Sequence, residues 1–598
     1  MLYQTRIRLR RILRKILGTG DPPERVARGL AAGFFATAFP LPGFQIPLSV
    51  LFAWIVRGNK VVSIFPQFLS NAATMLPLAY LQYEVGSIFW PGTVAHVDQA
   101  LAAVRTAGAS WQWSAPLESL RVVAVAIAGL GTDVLGPLAL GVLLTGLAAA
   151  IVSYPISLVA ITLLHRRRLR KRLERGIAQP PRELVVPEAP VREAADTAAL
   201  MRYAVDPETF VRADSVKLLV DGRAAYPEML ACIQAARQSV DMETYILRAD
   251  KTGQRFAEAL SAAAKRGAQV RLLYDGIGSM GLSHDYVQGL LQAGVRVAVY
   301  RPLIDLWRIG LERMNRRDHR KILVVDGMVA FTGGLNIGDE FVAKEEGGEG
   351  WRDTHLRLEG ATPAAQLRDL TEAVWARATL FPVPAHAAPA PAADGRCAST
   401  GETPVVRAGT DSRRVVNVPV QVVSNKEFLQ RVRVRRAYLH AIKHARRYIL
   451  IENAYFIPDG RIRRALRHAV RRGVTVAVVV AQHSDIRIVG LASHALYNEL
   501  LASGVRIYEY PISMLHCKAA VIDDMWSVVS SYNLDHRSLR HNLEAGVLVL
   551  DRPFATRLRK QILADVAQCR EVTTDTQAAR PWEQVLLESL AYQVRYWL

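Results

Sequence analysis

The chain has 598 residues, which is long enough for several domains. Hydrophobic residues make up 51% of it and the mean hydropathy is +0.11, so the composition argues against a wholly soluble protein. The net charge of +21 and the pI near 10.0 argue against cationic partners and favour anionic ones, either lipid head groups or nucleic acid.

The first stretch, residues 4–17, is predicted to be an amphipathic helix at a membrane surface. Its apolar residues fall on one helical face, and its Arg and Lys residues lie largely elsewhere: Leu9, Ile12, Leu13, Ile16 and Leu17 form the face. A signal peptide is the alternative, but no small-residue cleavage site follows a compact apolar core.

Three uncharged, apolar segments follow, at 29–56, 61–83 and 134–164. Basic residues crowd both 1–28 and the run HRRRLRKRLERG after Leu164, so both flanks are expected in the cytoplasm and the number of crossings is expected to be even. The simplest topology makes 29–56 a re-entrant hairpin broken by prolines, 61–83 and 134–164 the two spans, and 84–133 the external loop. A buried, soluble helical domain is the alternative interpretation.

The remaining chain suggests a linker, two related halves and a helical tail. We predict a helical membrane domain at 1–175, a linker at 176–204, a first half at 205–381, a disordered insert at 382–413, a second half at 414–555 and a C-terminal helical segment at 556–598. The tail carries Trp582, Tyr592, Tyr596 and Trp597, so it is expected either to anchor at the membrane interface or to pack on the catalytic region.

An internal repeat defines the two halves. METYIL, AAAKRGAQVRLLYD and LLQAGVRVAVY are echoed by IENAYFIP, HAVRRGVTVAVVV and LLASGVRIYEY. Apolar strands alternate with amphipathic helices, which predicts an α/β fold with two pseudo-symmetric halves, each a mixed sheet layered with helices.

Each half ends its repeat with the same chemical pattern, H-x-K-x4-D with a downstream Asn. In the first copy the residues are His319, Lys321, Asp326 and Asn336, and in the second they are His516, Lys518, Asp523 and Asn533. A single copy could be an ordinary buried strand with a polar edge, but two copies at matching spacing indicate a catalytic device. On a strand, His and Lys at alternate positions point to the same face.

These two motifs resemble those of the phospholipase D superfamily, and within it those of the bacterial cardiolipin synthases. The resemblance covers roughly residues 200–555 and includes ETYIL, GGLNIGDEF, WRDTH and NLDHRSLRHNLE. Ser530 stands where that family usually has Gly, so we expect a slightly altered turn there. The pattern from Gly29 and Gly33 to Asn71 similarly resembles an uncharacterised bacterial membrane-domain family.

The residue types fit the cleavage of a phosphodiester, whose anion repels nucleophiles and whose alkoxide leaves poorly. Lys321 and Lys518, with the amides of Asn336 and Asn533, would neutralise the phosphoryl oxygens. One imidazole would attack phosphorus while the other protonates the departing oxygen. The four cysteines show no metal-ligand spacing, so we expect no cofactor and no metal, and we expect Cys517 to be a packing residue.

The resemblance implies a covalent phosphohistidine and a carboxylate partner for each imidazole, matched here by Asp353 and Glu544. Asp326 and Asp523 are expected to be mainly structural, because each lies far along its strand from the Lys. The remaining candidates, Glu243 and Glu452, occupy equivalent strand ends, and they either line the pocket or serve as buried charge partners.

The favoured function is a membrane-bound phosphatidyl transferase that uses phosphatidylglycerol and a second lipid hydroxyl, with its catalytic region on the cytoplasmic side of the bacterial inner membrane. The alternatives are a hydrolytic phospholipase D, a nucleic-acid phosphodiesterase and a non-catalytic scaffold. We do not expect nucleic acid as a partner, because membrane topology already explains the basic clusters. His319 is the predicted nucleophile because its Gly333–Gly334 turn is the more open one.

Overall fold

The computed structural model describes residues 23–39, 44–69, 72–90, 132–173, 184, 186–187, 197–302, 315–380, 414–425 and 432–596. The chain forms two compact units, one of residues 1–179 with 580–586 and the other of residues 180–579 with 587–598. The predicted surface helix at 4–17, the predicted insert at 382–413 and most of the linker lie outside the described residues. The finer domain boundaries stay predictions.

The N-terminal unit is helical over its described residues. Its helices are α1 (Pro23–Thr37), α2 (Gln45–Ile55), α3 (Ala72–Ser87) and α4 (Thr132–Leu173), and a 3-10 helix spans Val62–Leu69. The segment 61–83, predicted to be a span, is not one regular helix, because its described residues are divided between the 3-10 helix and α3. Its crossing of a membrane stays a prediction. Pro66 lies inside the 3-10 helix, where it lacks the backbone N–H that a regular α-helix uses.

Helices α1 and α2 pack against each other through aromatic rings, and the backbone of α1 also lies close to the segment that leads into the 3-10 helix. The rings of Phe35 and Phe52 meet edge to face at 4.8 Å. A Cβ atom on Gly29 or Gly33 would collide with the backbone oxygens of Asn59 and Ser63, so only glycine allows this approach. This pair of helices fits the helical part of the 29–56 prediction, and its re-entrant placement in a membrane stays a prediction.

Helix α4 contains the segment of the described chain that is long and apolar enough to cross a membrane. Val134–Leu164 comprises 31 residues with a mean hydropathy of 2.2, and 28% of its most apolar window is buried within the protein. At about 1.5 Å per residue the segment exceeds the roughly 30 Å hydrocarbon core of a bilayer.

The unit of residues 180–579 with 587–598, called the catalytic unit below because it contains both predicted motifs, is built on one mixed sheet. Its strands are β1 (Val211–Val220), β2 (Ser239–Thr244), β3 (Gln269–Asp275), β4 (Arg296–Tyr300), β5 (Ile322–Val325), β6 (Val329–Gly333), β7 (Thr354–Glu359), β8 (Thr379–Leu380), β9 (Arg414–Asn425), β10 (Tyr448–Asn453), β11 (Thr475–Ala481), β12 (Arg506–Tyr510), β13 (Lys518–Ile522), β14 (Trp526–Ser530), β15 (Glu544–Val549) and β16 (Arg570–Val572).

The strand order shows the predicted pseudo-twofold relation. From one edge the order is β16-β12-β11-β10-β13-β14-β15-β9, and from the other it is β8-β4-β3-β2-β5-β6-β7-β1. Each strand of the first half thus has its counterpart at the same place in the second. The halves join at the antiparallel pair β1–β9, where Val211 pairs with Val420. The predicted α/β fold with two pseudo-symmetric halves is confirmed.

Helices cover both faces of the sheet. In chain order they are α5 (Thr197–Met201), α6 (Asp221–Ala235), α7 (Lys251–Lys265), α8 (His284–Gln292), α9 (Ala361–Trp375), α10 (Arg433–His444), α11 (Gly460–Arg471), α12 (Arg487–Ala502), α13 (His536–Arg540), α14 (Arg552–Val566), α15 (Thr574–Ala579) and α16 (Trp582–Gln593). Apolar residues of α9 and α14, such as Leu367 and Leu558, share one core cluster with both halves. The opposite faces carry separate cores, one for each half.

The end of the chain packs on the second half. Tyr592 belongs to the core cluster of that half, and its hydroxyl accepts a hydrogen bond of 2.6 Å from Arg463. Arg595 lies 4.1 Å from the centre of the Tyr592 ring. Of the two roles predicted for the tail, these contacts favour packing on the catalytic region.

Candidate active site

Both motif histidines lie on extended segments just before a central strand of their own half. Lys321 immediately precedes β5 and Lys518 begins β13. Each segment also pairs with backbone from the opposite half. The His319 amide donates to the Leu543 carbonyl at 3.0 Å, and the His516 amide donates to the Arg352 carbonyl at 2.7 Å. The residues after Leu543 and Arg352 are therefore brought beside the imidazoles.

Those following residues are the two predicted carboxylates, and each pairs with the histidine of the other half. His319 Nδ1 lies 3.1 Å from Glu544 Oε2, and His516 Nδ1 lies 2.7 Å from Asp353 Oδ2. All four side chains are buried. The arrangement is crossed, so each imidazole depends on both halves of the chain.

The two carboxylates are held in the ionised form. Burial raises the pKa of Asp353, but Lys518 and His516 outweigh burial and lower it overall. Burial likewise raises the pKa of Glu544, and His319, Lys321 and the Ser531 hydroxyl lower it overall. An ionised carboxylate only accepts hydrogen bonds, so Nδ1 of each imidazole carries the proton and Nε2 presents a lone pair.

The imidazoles themselves are neutral at physiological pH. Burial and the neighbouring Lys321 lower the pKa of His319 to about 4, and burial and Lys518 lower the pKa of His516. A neutral imidazole with a free Nε2 is a nucleophile or a general base. An anion bound between the two rings would raise both pKa values and allow one ring to act as an acid.

The two motif lysines face the same region as the imidazoles. Lys321 Nζ donates to the His319 carbonyl at 2.7 Å, and Lys518 Nζ donates to the His516 carbonyl. Burial and the charge of Lys518 lower the pKa of Lys321 to about 7, and burial lowers the pKa of Lys518. Two cations that repel each other in a buried site create a strong preference for an anion between them.

The two downstream asparagines are also buried beside the motif segments. Asn336 Oδ1 accepts a hydrogen bond of 3.2 Å from the amide of Ile246, whose neighbour Tyr245 contacts the His319 ring. Asn533 Oδ1 has no hydrogen-bond partner among the residues that the structure describes. Asn533 Oδ1 is therefore available to a hydrogen-bond donor of a ligand.

Family models match this chain in two regions. A cardiolipin synthase, phospholipase D-like domain matches residues 229–353 and 438–566. A family described as uncharacterized protein conserved in bacteria matches residues 6–170.

Two relatives align with about two thirds of the chain. A cardiolipin synthase from Halalkalibacterium halodurans is 34% identical over 391 residues, which cover 65% of this chain and 73% of that protein. The major cardiolipin synthase ClsA of Bacillus subtilis is 32% identical over 377 residues, which cover 62% of this chain and 73% of that protein. The chain belongs to the cardiolipin synthase family.

A comparison with solved structures finds a match to phosphatidylserine synthase from Haemophilus influenzae. It covers 65% of this chain and 97% of its own, with 12% identity and a TM-score of 0.49. The cardiolipin synthase family is a family of membrane-associated lipid enzymes, which accords with the apolar helix α4.

The aspartates of the two motifs lie away from the imidazoles, at the far ends of β5 and β13. Asp326 accepts hydrogen bonds from the amides of Gln238 and Ser239 at 2.8 and 2.9 Å, which tie the β5–β6 turn to the start of β2. Asp523 accepts from the amides of Arg447 and Tyr448, each at 2.8 Å, at the start of β10. Both contacts fit the structural role that the sequence favoured.

The two candidate glutamates lie on the opposite face of the sheet from the motif lysines. Glu243 pairs in register with Ile322, the residue after Lys321, and its carboxylate lies 2.7 Å from Arg320 Nε. Burial raises the pKa of Glu243 to about 8, although Arg320 opposes the shift. This placement favours a buried charge partner over a residue that lines the pocket.

Glu452 has the equivalent position in the second half. It pairs in register with Ala519 and therefore shares a face with Cys517 rather than with Lys518. Burial, together with nearby Asp565, raises its pKa well above the ordinary range, and Arg352 opposes the shift. Cys517 belongs to the core cluster on that face, as expected for a packing residue.

The Gly-to-Ser departure from the cardiolipin synthase family has a local explanation. In the first half Gly333 pairs with His355, and in the second half Ser530 pairs with Gly546. A Cβ atom on Gly546 would collide with the Cβ of Ser530, and one on Gly333 would lie 2.7 Å from His355 Nδ1. Each half therefore has one glycine in this pair of residues. In the first half it is Gly333 on β6, and in the second half it is Gly546 on β15, the counterpart of β7.

The neighbouring Gly334 does not open the site to a phosphate. A Cβ atom at this position would collide with the carboxylate of Asp353, so the space beside Gly334 belongs to the partner of His516. Its counterpart Ser531 donates its hydroxyl to Glu544, the partner of His319. The packing thus removes the reason for which the sequence favoured His319 as the nucleophile, and the identity of the nucleophile stays a prediction.

Several side chains around the imidazoles were not predicted. The Tyr245 ring lies 4.8 Å from that of His319, and Phe341 and Trp351 lie 5.6 and 5.9 Å from His516. Tyr245 lies in the stretch ETYIL and Trp351 in WRDTH, two stretches that carry the family resemblance, and this is the sequence signal by which they could have been found. Among the described residues there is no group of three or more His, Cys, Asp and Glu placed to hold a metal. Metal-free catalysis stays a prediction.

Proposed function

We propose that this member of the cardiolipin synthase family transfers a phosphatidyl group from phosphatidylglycerol to the free hydroxyl of a second phosphatidylglycerol molecule. The family assignment makes the chain a phosphatidyltransferase. The observation that carries the mechanism is the crossed pairing of two neutral imidazoles with two ionised carboxylates in one buried site.

In the first half-reaction, Nε2 of one imidazole attacks phosphorus and a phosphorus–nitrogen bond forms. The phosphorus–oxygen bond to the head-group glycerol breaks, and the other imidazole, protonated in the presence of the bound anion, gives its proton to the departing oxygen. Glycerol leaves, and a phosphatidyl-histidine remains.

In the second half-reaction, the now neutral second imidazole takes the proton of an incoming hydroxyl. That oxygen attacks phosphorus, the phosphorus–nitrogen bond breaks, and the first imidazole returns to its starting state. Two displacements retain the configuration at phosphorus. Asp353 and Glu544 keep Nδ1 protonated throughout, so that each Nε2 faces the reacting group.

The lysines and asparagines act on the phosphoryl oxygens. Lys321 and Lys518 supply positive charge where the transition state gains negative charge, and the buried site strengthens that interaction. The amides of Asn336 and Asn533 add donors. We place the reaction at the bacterial inner membrane with the catalytic unit on the cytoplasmic side, because basic residues flank the apolar segments.

Hydrolysis is the competing reaction, since water could replace the acceptor hydroxyl at the second step. The test uses the purified full chain in vesicles of phosphatidylglycerol with a labelled head group and labelled acyl chains. Transfer predicts cardiolipin and free glycerol in equal amounts. Phosphatidic acid as the main acyl-labelled product would replace the transferase with a phospholipase D.

Variants of the site residues distinguish the activity of this chain from that of a contaminating enzyme. His319→Ala and His516→Ala should each abolish cardiolipin formation, whereas Asp369→Asn, an exposed change on α9, should leave it intact. Cleavage of single-stranded DNA by the same preparation, lost in both histidine variants, would instead support the nucleic-acid phosphodiesterase.

A further inference from the structure

Four large apolar side chains of the catalytic unit are exposed after its parallel strands, three on loops and one, Ile488, in the first turn of α12. Ile486 is 45% exposed, Ile488 41%, Ile512 49% and Met280 64%. Single exposed apolar residues are ordinary on a protein surface, whereas a group at one place indicates an interaction site. The contacts that connect each of these segments to the active site define the group further.

The loop after β11 leads to the second imidazole. Asp485, which precedes Ile486, accepts a hydrogen bond of 2.7 Å from the hydroxyl of Tyr455, and the Tyr455 ring lies 6.5 Å from that of His516. Ile486 and Ile488 therefore extend outward from a segment attached to the site.

The loop after β3 has the equivalent place beside the first imidazole. The hydroxyl of Ser279 donates to the carbonyl of Tyr245 at 3.2 Å, and the Tyr245 ring contacts His319. Met280 is the next residue after Ser279 and is the most exposed of the four. The apolar side chains thus flank the site from both halves.

Ile512 joins the group through the adjacent strand. β11 and β12 are parallel neighbours in which Ala481 pairs with Tyr510, so their following loops leave the same edge of the sheet. Two residues after Ile512, the Met514 carbonyl accepts a hydrogen bond from the Arg352 amide. The Arg352 carbonyl in turn accepts a hydrogen bond from the His516 amide.

The group also carries a cation between two of its apolar side chains. Arg487 is exposed between Ile486 and Ile488 at the start of α12, where no acidic residue occupies the first turn. Lys344 donates to the Ile512 carbonyl at 3.1 Å, but its loop exposes two acidic residues, Glu345 and Glu346. Arg487 has one exposed acidic residue nearby in sequence, Asp485, which accepts a hydrogen bond from Tyr455. We therefore assign the attraction for anions to Arg487. We call Met280, Ile486, Arg487, Ile488 and Ile512 the rim.

We propose that the rim docks the active site onto an anionic phospholipid bilayer, independently of the N-terminal helices. The inference rests on the proposed function, because a site that takes two-chain lipids must receive them from a bilayer. Apolar side chains around a cation match the boundary between acyl chains and anionic head groups. Docking would let a lipid move to the imidazoles without crossing water.

The first experiment measures insertion without reference to catalysis. An environment-sensitive fluorophore is attached to Ile486→Cys in the full chain, with the other accessible cysteines replaced by serine, and the chain is reconstituted in phosphatidylglycerol vesicles with brominated acyl chains. The matched control is Met328→Cys, because Met328 is 46% exposed at the β5–β6 turn, the far end of β5 from His319.

We expect bromine to remove most of the fluorescence at position 486 and little at position 328. The variant Arg487→Gln should reduce quenching at 486 in phosphatidylglycerol vesicles but not in phosphatidylcholine vesicles. Equal quenching at 486 and 328, or none at either, would overturn the proposal. This readout stays valid if the chain makes phosphatidic acid instead of cardiolipin, so the two proposals fail separately.

The second experiment asks whether docking serves the reaction. The double variant Ile486→Ser/Ile488→Ser should lower kcat/KM on long-chain phosphatidylglycerol vesicles roughly tenfold, through KM, because it removes apolar area that inserts. Turnover of short-chain phosphatidylglycerol below its micelle concentration should be unchanged, and Met328→Ser should change neither value. Equal losses on both substrates would mean that the variant damages the site, and would overturn the docking role.

Discussion

His516 of the second half and Asp353 of the first half are joined by a hydrogen bond of 2.7 Å between Nδ1 and Oδ2. The mirror relation joins His319 to Glu544 at 3.1 Å. Neither half alone contains a complete imidazole–carboxylate pair. The fused halves therefore form one site, in which a change in either half alters the chemistry of both imidazoles.

The crossed pairing predicts which variants behave alike. Asp353→Asn should act like His516→Ala, and Glu544→Gln should act like His319→Ala, because each amide favours the wrong tautomer of its imidazole. Losses in kcat of roughly 10²–10⁴-fold are expected. The comparison is made by measuring, in each variant, the amount of phosphatidyl-enzyme trapped by rapid denaturation at neutral pH, because acid would hydrolyse the phosphorus–nitrogen bond. A pattern in which Asp353→Asn matched His319→Ala would assign the carboxylates within the halves instead.

The nucleophile is tested by mapping the covalent adduct. With acyl-labelled phosphatidylglycerol, we expect His516→Ala to accumulate a phosphatidyl group on His319, since attack can occur while transfer to the acceptor lacks its base. His319→Ala should form no adduct. Peptide mapping after rapid quench locates the label. A wild-type adduct on His516 would reverse the assignment and leave the transferase intact.

The pKa directions predict the pH dependence of the free enzyme. The pKa of His319 is lowered to about 4, and a nucleophilic imidazole must be neutral, so with His319 as the nucleophile kcat/KM should fall as the pH drops through that value. Lys321, with a pKa lowered to about 7, must be charged to hold phosphate, so kcat/KM should also fall as the pH rises through about 7. Initial rates at low substrate across this range test the profile, with circular dichroism as the control for unfolding.

Lys321→Arg should remove the contribution of Lys321 to the alkaline limb of that profile, because a guanidinium keeps its charge, and the fall that remains should report the imidazole that acts as the acid. In the wild-type enzyme, the alkaline limb of kcat should lie at a higher pH than that of kcat/KM, because bound phosphate stabilises the charged lysine. An alkaline limb that persists unchanged in Lys321→Arg would assign it to another group.

The glycine exchange between the halves predicts a compensating pair. Gly546→Ala should lower the free energy of unfolding by roughly 1–3 kcal/mol, because the new methyl group meets the Ser530 Cβ. Ser530→Gly in the same chain should restore most of the loss. Denaturant unfolding measures both, and Gly289→Ala, at an open position on α8, is the control, which should not destabilise the protein because Ala favours a helix over Gly. Absence of rescue would mean that the two strands do not share this space.

The topology of α4 is tested by reporter fusions in cells. If Val134–Leu164 spans the membrane, reporters fused after residue 110 and after residue 180 should lie on opposite sides, with the later one in the cytoplasm. Alkaline phosphatase and green fluorescent protein fusions give complementary readouts. Both reporters on one side would exclude α4 as a span.

The sequence by itself determined the repeat, the two motifs and the fold class. Those features are local: an H-x-K spacing places two side chains on one strand face, and alternating apolar strands and amphipathic helices favour an α/β layer. The structural role of Asp326 and Asp523 also followed from distance along a strand. The apolar run at 134–164 was evident from composition, whereas the division of 61–83 was not, because it depends on Pro66 and on packing.

Only the tertiary structure decided which carboxylate meets which histidine and which face Glu243 and Glu452 occupy. The crossed pairs depend on backbone bonds between residues far apart in the chain, such as His319 with Leu543. The sequence could not show that the turn at Gly334 is closed for the same reason. The fold places the Asp353 carboxylate in the space beside this glycine. Residue types and spacing state what chemistry is available, and long-range pairing decides which groups meet to perform it.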